Sequence, residues 1–479
     1  MRHALVVVAS LLGLSLACTD GEGGDAGPVE LDDDAGVADA GPVYEGPQVE
    51  VEEGFFDDDT LARAPWRCDA PPHRWWGVSS LGDVLERQEK GTFSQALLSG
   101  FKQQLAAQIV LARDPAYSVV LHRIRYQTQD RGVLVDATGL VAVPDAPNEA
   151  LPIVLFLHGT EGYVDDCSPS DGIDTFTQPN YPDAATLAMF ASWGYVVVAP
   201  DYLGLKSFGP QSTELHPYLI AEPTALVSLD AVRAAKKLMT ELGAQGGAPA
   251  PDGPLVVLGV SQGGHGAGFV ARYQPHYAKD LPITAVVAAV PPLDLVGESE
   301  AARENSSSTK RGSSGAFLAT GGIWYRSASP IGDAVLAPFD VDLLDQLYTV
   351  CNVPSLGGDV ESVFSPALLD GTLMPYACFG AENALPSTSI PRREEAPMLM
   401  VLAENDALVS REAERAAFVT LCDQGMALEL KECANSSHIE GFTYAIDDAF
   451  DWLDARIAGA PLDALCEATQ PVTCSSDPR

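Results

Sequence analysis

With 479 residues, 66 acidic against 28 basic side chains and a formal net charge of -38, this chain can bury a large core but presents a surface that repels polyanions. Nucleic acid and anionic membrane faces both need basic patches, so neither is expected as a partner. A 46% hydrophobic and 20% charged content is that of a globular protein, which makes the acidity a surface property rather than a sign of general disorder.

The elements follow in chain order. Met1-Arg2-His3 precedes an uncharged stretch at 4–17, the basic start and short apolar run of a signal peptide, too short to remain as a membrane span. The chain is expected to be exported. Leu14-Ser-Leu-Ala-Cys18 has the form of a lipoprotein cleavage site, with Cys18 as the acylated residue. Ser15 stands where leucine is usual, so plain cleavage after Ala17 is the alternative. Removing Cys18 from nine cysteines leaves an even set of eight that can pair fully in an oxidising compartment. The expected location is the outer membrane or cell surface, or otherwise the periplasm or medium.

Residues 18–59 form an acidic tether: beyond Cys18 they lack Lys and Arg, and Asp-Ala-Gly recurs at 25, 34 and 39. An N-terminal arm with helices is expected over 60–116, the span 81–112 being mainly helical. A first part of the core covers 117–295. In it, 117–129 and 132–144 alternate around Asp130-Arg-Gly as a hairpin, and short apolar strands alternate with helical stretches. That alternation predicts an α/β fold with a mostly parallel, doubly wound sheet covered on both faces. Residues 296–395 separate two strands by about a hundred positions, too many for an ordinary loop, and read as a mainly helical cap over a site at the carboxyl ends of the strands. Residues 396–479 complete the core and tail. Eight cysteines allow about 105 pairings, so connectivity stays open, except that a strand at 427–433 would hold Cys422 and Cys433 at opposite ends.

The motif that carries chemistry is Gly259-Val-Ser261-Gln-Gly263, set between the apolar run 254–258 and a stretch of small residues at 264–273. Strand, Gly-x-Ser-x-Gly and helix in that order make a nucleophile elbow, where glycines bracket the serine because larger side chains would strike the neighbouring strand and helix. A serine hydroxyl needs a base within hydrogen-bond reach and a carboxylate to orient that base. Downstream, Asp406 lies in a polar loop after the strand at 398–402, with Glu404 as the rival acid, and His438 lies in the loop 434–441 after the next strand. Of the other histidines, His265 sits on the elbow helix and His158 before the oxyanion residue, while His73, His122, His216 and His276 attach to the wrong elements. Asp201 ends a strand and is expected to organise its own loop. The oxyanion donors are expected from Gln262, by elbow geometry, and Thr160, in the loop after His158-Gly159. There is no His-Glu-x-x-His, no paired Cys-x-x-Cys and no phosphate loop, so no metal or nucleotide cofactor is expected.

Leu157-His-Gly-Thr160, Cys167-Ser-Pro-Ser170, the run Gly194-Tyr-Val-Val-Val-Ala-Pro-Asp-Tyr202, the elbow, Asn405-Asp406 and His438 together resemble the secretory lipase (fungal lipase A-like) group of the α/β-hydrolases. The resemblance spans about 115–460 and leaves out the tether and the arm at 60–80. It implies a triad of Ser261, Asp406 and His438, a lid-like cap, and hydrolysis of small-molecule or lipid esters without a cofactor. Membrane contact is expected only through the N-terminal lipid anchor; oligomeric state is not legible. A serine peptidase of the same fold, or a catalytically silent surface-binding protein on this scaffold, are the alternatives.

Overall fold

The computed structural model describes Cys68 and residues 73–146, 149–171, 184–246, 248–304, 306–388, 390 and 394–479. The signal-like segment, Cys18 and the acidic tether lie outside the described residues. The described chain runs through β1 (Val84–Phe93), α1 (Gln95–Leu105), β2 (Val119–Asp130), β3 (Val133–Pro144), β4 (Ile153–Leu157), α2 (Ala184–Ser192), β5 (Val196–Pro200), α3 (Ala221–Gly243), β6 (Leu255–Val260), α4 (Gln262–Tyr277) and β7 (Ile283–Ala289). Then come α5 (Leu295–Glu304), α6 (Ser308–Trp324), α7 (Phe339–Thr349), α8 (Val360–Val363), α9 (Pro366–Leu369) and α10 (Met374–Glu382). The chain closes with β8 (Met398–Ala403), α11 (Arg411–Asp423), β9 (Leu428–Cys433), α12 (His438–Thr443) and α13 (Ile446–Ile457).

The strands form one sheet in the order β1-β2-β3-β5-β4-β6-β7-β8-β9. β1, β2, β3 and β5 pair antiparallel, and every pair from β5 to β9 is parallel. From β4 the chain moves outward to β5 and then returns across β4 to β6. This reversal leaves the carboxyl ends of β4 and β6 side by side, Leu157 opposite Gly259, and opens the crevice in which α/β sheets bind ligands. β4, β5, β6 and β8 are buried along their whole length, as apolar strands with helices on both faces must be. One face is packed by α3, α4 and α11, the other by α1, α2 and α13. A third apolar cluster joins α6, α7 and α10 to Tyr163 and to 215–220, so the helices after β7 have a core of their own.

The expectation of helix over most of 81–112 is corrected: only 95–105 is helical, and Val84–Phe93 is a strand. Its run Glu86-Arg-Gln-Glu-Lys90 favours helix intrinsically, but propensity is a weak prior that pairing with the long β2 overrides. The charges suit an edge: they face water, and register shifts at Val84/Glu86 and Glu89/Gly91 bend the strand away from any further partner. The hairpin falls where Asp130-Arg-Gly placed it, with Asp130 opposite Val133 and positive φ at both Arg131 and Gly132. Before β1, Trp75 is buried against Tyr273 and Tyr277, its ring N–H donating to Glu222 at 3.1 Å.

Among the described residues, four disulfides join Cys68 to Cys378, Cys167 to Cys351, Cys422 to Cys466 and Cys433 to Cys474. Cys422 and Cys433 flank β9 and pair elsewhere. The last bridge closes a separation of 41 residues and pins an irregular tail to the end of β9. Cys474→Ser is expected to cost about 4 kcal/mol by loop-closure entropy, read as a lowered denaturant midpoint in circular dichroism.

Candidate active site

β6 ends at Val260 and the chain turns at Ser261 with φ 55° and ψ -117° before entering α4. A non-glycine residue there is strained, and the neighbours enforce it: Ser261 N–H donates to Ala289 O at 2.9 Å, and His265 N–H donates to Ser261 O at 3.0 Å. A Cβ on Gly259 would stand 1.9 Å from Gly263 O, and one on Gly263 would stand 2.0 Å from Leu157 O. The elbow therefore exists only with glycine at both positions.

His438 Nε2 lies 2.8 Å from Ser261 Oγ, and His438 Nδ1 lies 2.6 Å from Asp406 Oδ2. With Nδ1–H donating to Asp406, Nε2 is left to accept the serine proton. The second carboxylate oxygen of Asp406 accepts from Leu408 N–H at 2.8 Å and Val409 N–H at 2.9 Å, so the acid is held at both ends. Glu404, the rival acid, instead accepts from Asn435 N–H at 2.7 Å, and Asn405 N–H donates to Ser436 O at 2.9 Å. These bonds lock the acid loop to the histidine loop. His438 does not lie within a loop, as its surroundings suggested, but opens α12: Ser437 and Glu440 form a reciprocal capping box. The Arg479 guanidinium adds a clasp, donating to Asn435 O at 3.0 Å and covering the Tyr444 ring.

Gln262 opens α4 and Thr160 follows β4; the backbone N–H groups of both make no hydrogen bond to any described residue. Gly159 lies against Ser261 Cβ, which brings the Thr160 loop beside the elbow. The Thr160 hydroxyl donates to Tyr218 OH at 3.1 Å, and Tyr218 OH lies 3.1 Å from Ser313 Oγ on α6. What Thr160 has to offer a developing oxyanion is therefore its backbone N–H. Behind the elbow, the Gln262 side-chain amide donates to His216 Nε2 at 2.6 Å, while His216 Nδ1–H donates to Leu203 O at 2.8 Å. Burial pushes His216 down to about 3 and His158 down to about 4, so both are neutral rings, each stacked with Tyr202. His265 donates to Asn383 O at 2.8 Å and does not approach Ser261 Oγ. Asp201 gathers Thr138 Oγ1 at 2.6 Å and Ser170 N–H at 2.9 Å, tying the end of β5 to β3 and to the segment around Ser170 rather than bonding within its own loop.

Ser261 and Thr160 lie in the wall of a cavity of about 490 Å³, closed on its apolar side by Leu295, Phe317, Val360, Phe364, Leu368 and Tyr376. That volume is ordinary for a small-molecule site. His216, Tyr218 and Glu298, which also lines the cavity, are the neighbours that sequence reasoning missed; His216-Pro-Tyr218 sits in a loop without periodicity. Among the described residues, no group of three or more His, Cys, Asp or Glu side chains is placed to hold a metal ion. No helix among them is long and apolar enough to cross a membrane.

A polarised serine, imidazole and carboxylate beside two backbone donors can perform acyl transfer. A family model described as secretory lipase matches residues 177–321. Lipase 1 of Candida albicans is 24% identical over 370 residues, covering 72% of this chain and 73% of the relative. The rice cell wall degrading esterase LipA of Xanthomonas oryzae superposes with a TM-score of 0.60 at 20% identity, over 79% of this chain and 96% of its own. Candida antarctica lipase A in its closed state superposes with a TM-score of 0.61 at 15% identity, over 87% and 89%. The chain thus has an α/β-hydrolase fold, is similar to the secretory lipases, and is a carboxylic-ester hydrolase.

Proposed function

We propose that the enzyme is exported and cleaves small-molecule or lipid esters through an acyl-enzyme formed on Ser261. The observation that carries this reading is the unbroken hydrogen-bonded chain Ser261–His438–Asp406 in the wall of an apolar cavity. Ser261 Oγ attacks the ester carbonyl carbon while its proton passes to His438 Nε2. The resulting oxyanion is held by the N–H groups of Gln262 and Thr160, each worth about 3 kcal/mol. Collapse of the tetrahedral intermediate breaks the bond to the alcohol, which leaves with the proton from His438. Water then attacks the acyl-enzyme, gives its proton to His438, and the acid departs as Ser261 recovers its own. Asp406 holds the tautomer and stabilises the imidazolium without itself accepting the proton.

Export is supported by the basic and apolar start of the chain and by eight paired cysteines, which persist only under oxidising conditions. Acylation of Cys18 would leave the catalytic part on an acidic tether outside the membrane.

The test is a chain-length series of nitrophenyl esters run beside aminoacyl amides. Esters should be cleaved in strong preference, with kcat/KM rising by up to about fourfold per added acyl methylene until the cavity is filled, as about 0.8 kcal/mol per buried methylene requires. Faster turnover of amides than of esters would replace this reading by a peptidase.

A further inference from the structure

Two carboxyl groups that the triad does not use lie where the helices after β7 meet the acid loop. Glu298, on α5, reaches across the joint and accepts the backbone N–H of Ser410 at 2.7 Å, four residues beyond Asp406. Glu414, on α11, reaches the other way and accepts the N–H of Asp294, just before α5, at 3.1 Å. Asp294 in turn caps the start of α5, accepting from Val296 N–H at 3.2 Å and Gly297 N–H at 3.1 Å. The joint is tight: Gly297 is so close that an added Cβ would stand 2.8 Å from Asp294 and 3.3 Å from Ala413. Glu298 also lines the cavity that holds Ser261.

We infer that Glu298 and Glu414 form a reciprocal clasp between the cap and the acid loop, with Glu298 acting as a positioning residue for Asp406 through the backbone of Ser410. A loop anchored at only one end could drift, and an error of about 1 Å in the acid would be felt at His438 and Ser261 as a loss of up to about a hundredfold. The charges around Glu298 are Lys310 on α6, which favours its anion, and Asp406, Asp294 and Glu414, which oppose it. Burial, with these carboxylates, pushes Glu298 up to about 7, and burial beside Glu298 raises Glu414 well above the usual carboxylate range. A carboxyl whose folded value is raised stabilises the fold when protonated, and that contribution is lost as pH rises from its ordinary range through about 7. On the alkaline side the charge that appears on Glu298 is repelled by Asp406 and Asp294, which opposes its stronger hydrogen bond to Ser410 N–H and loosens the clasp.

This inference rests on the triad reading, and one ester assay separates the two. Glu298→Ala should lower kcat about tenfold, and Glu298→Gln, which keeps an acceptor oxygen for Ser410, should recover most of that loss. The wild-type kcat/KM profile should fall through an inflection near pH 7 that Glu298→Gln lacks. Identical profiles for wild type and Glu298→Gln would overturn the clasp, as would a Glu298→Ala enzyme within twofold of wild-type kcat. If the alanine variant does not fold, as circular dichroism would report, the profile of Glu298→Gln decides alone. Failure of the triad reading has a different signature: Ser261→Ala would then retain turnover in the same assay, whatever the Glu298 variants do.

Discussion

Alanine at Ser261 is expected to lower kcat for a nitrophenyl ester by about a millionfold while leaving the unfolding midpoint within experimental scatter of wild type. The size follows from the geometry. Without Oγ, His438 has no nucleophile to activate, and the polarised chain to Asp406 does no work. What survives is the environment: two backbone donors and a largely apolar pocket, the kind of setting that sustains roughly a thousandfold to ten-thousandfold rate over water in other serine hydrolases. Stability should change little because alanine is as strained as serine at φ 55°, and the contacts that impose that conformation are backbone hydrogen bonds to Ala289 and His265. A loss below about a hundredfold, measured on protein shown to be folded, would remove Ser261 from the nucleophile's role.

The second large effect is on folding. Gly263→Ala adds one methyl group whose carbon would stand 2.0 Å from Leu157 O, 2.4 Å from Leu157 C and 2.6 Å from His158 O. None of these is the flexible end of a side chain, so either the end of β4 or the start of α4 must move. Overpacking in a rigid interior usually costs about 1–3 kcal/mol; with backbone on both sides of the clash, more than about 4 kcal/mol is expected, together with loss of activity. Gly380 provides the internal comparison. It lies on α10 with nothing within 4 Å of an added Cβ, so alanine there should stabilise by up to about 1 kcal/mol. The pair is measured by chemical unfolding. Wild-type stability in Gly263→Ala would mean that the elbow is not packed as described.

What the sequence made legible was what lies close together along the chain. The elbow could be read because strand, serine and helix are consecutive, and the hairpin at Asp130-Arg-Gly because its turn chemistry is local. Asp406 and His438 were reachable because each follows a strand, so chain order stood in for distance. Two local signals were misread. The charged run in β1 looked helical because propensity says nothing about a partner strand. Ser437 and Glu440 spelled a capping box that places His438 on a helix. The rest was out of reach in principle. His216 meets Gln262 from 46 residues away and Glu298 meets Ser410 from 112, and no periodicity in either segment points to the other. The disulfides are similar: strand length could separate Cys422 from Cys433, but nothing local joins Cys68 to Cys378 across 310 positions.

Those long bridges also change what it means to cut this chain. Cys68–Cys378 and Cys167–Cys351 are nested, and everything from the Thr160 loop to the first turn of α10 lies inside the outer one, with Ser261 inside both. A single break anywhere between Cys167 and Cys351 gives two polypeptides that remain joined at two points, while a break between Cys433 and Cys466 is spanned by the other two bridges. Integrity of the molecule is thereby uncoupled from integrity of the backbone. A nicked enzyme can keep its serine, its acid and its histidine in one covalent body.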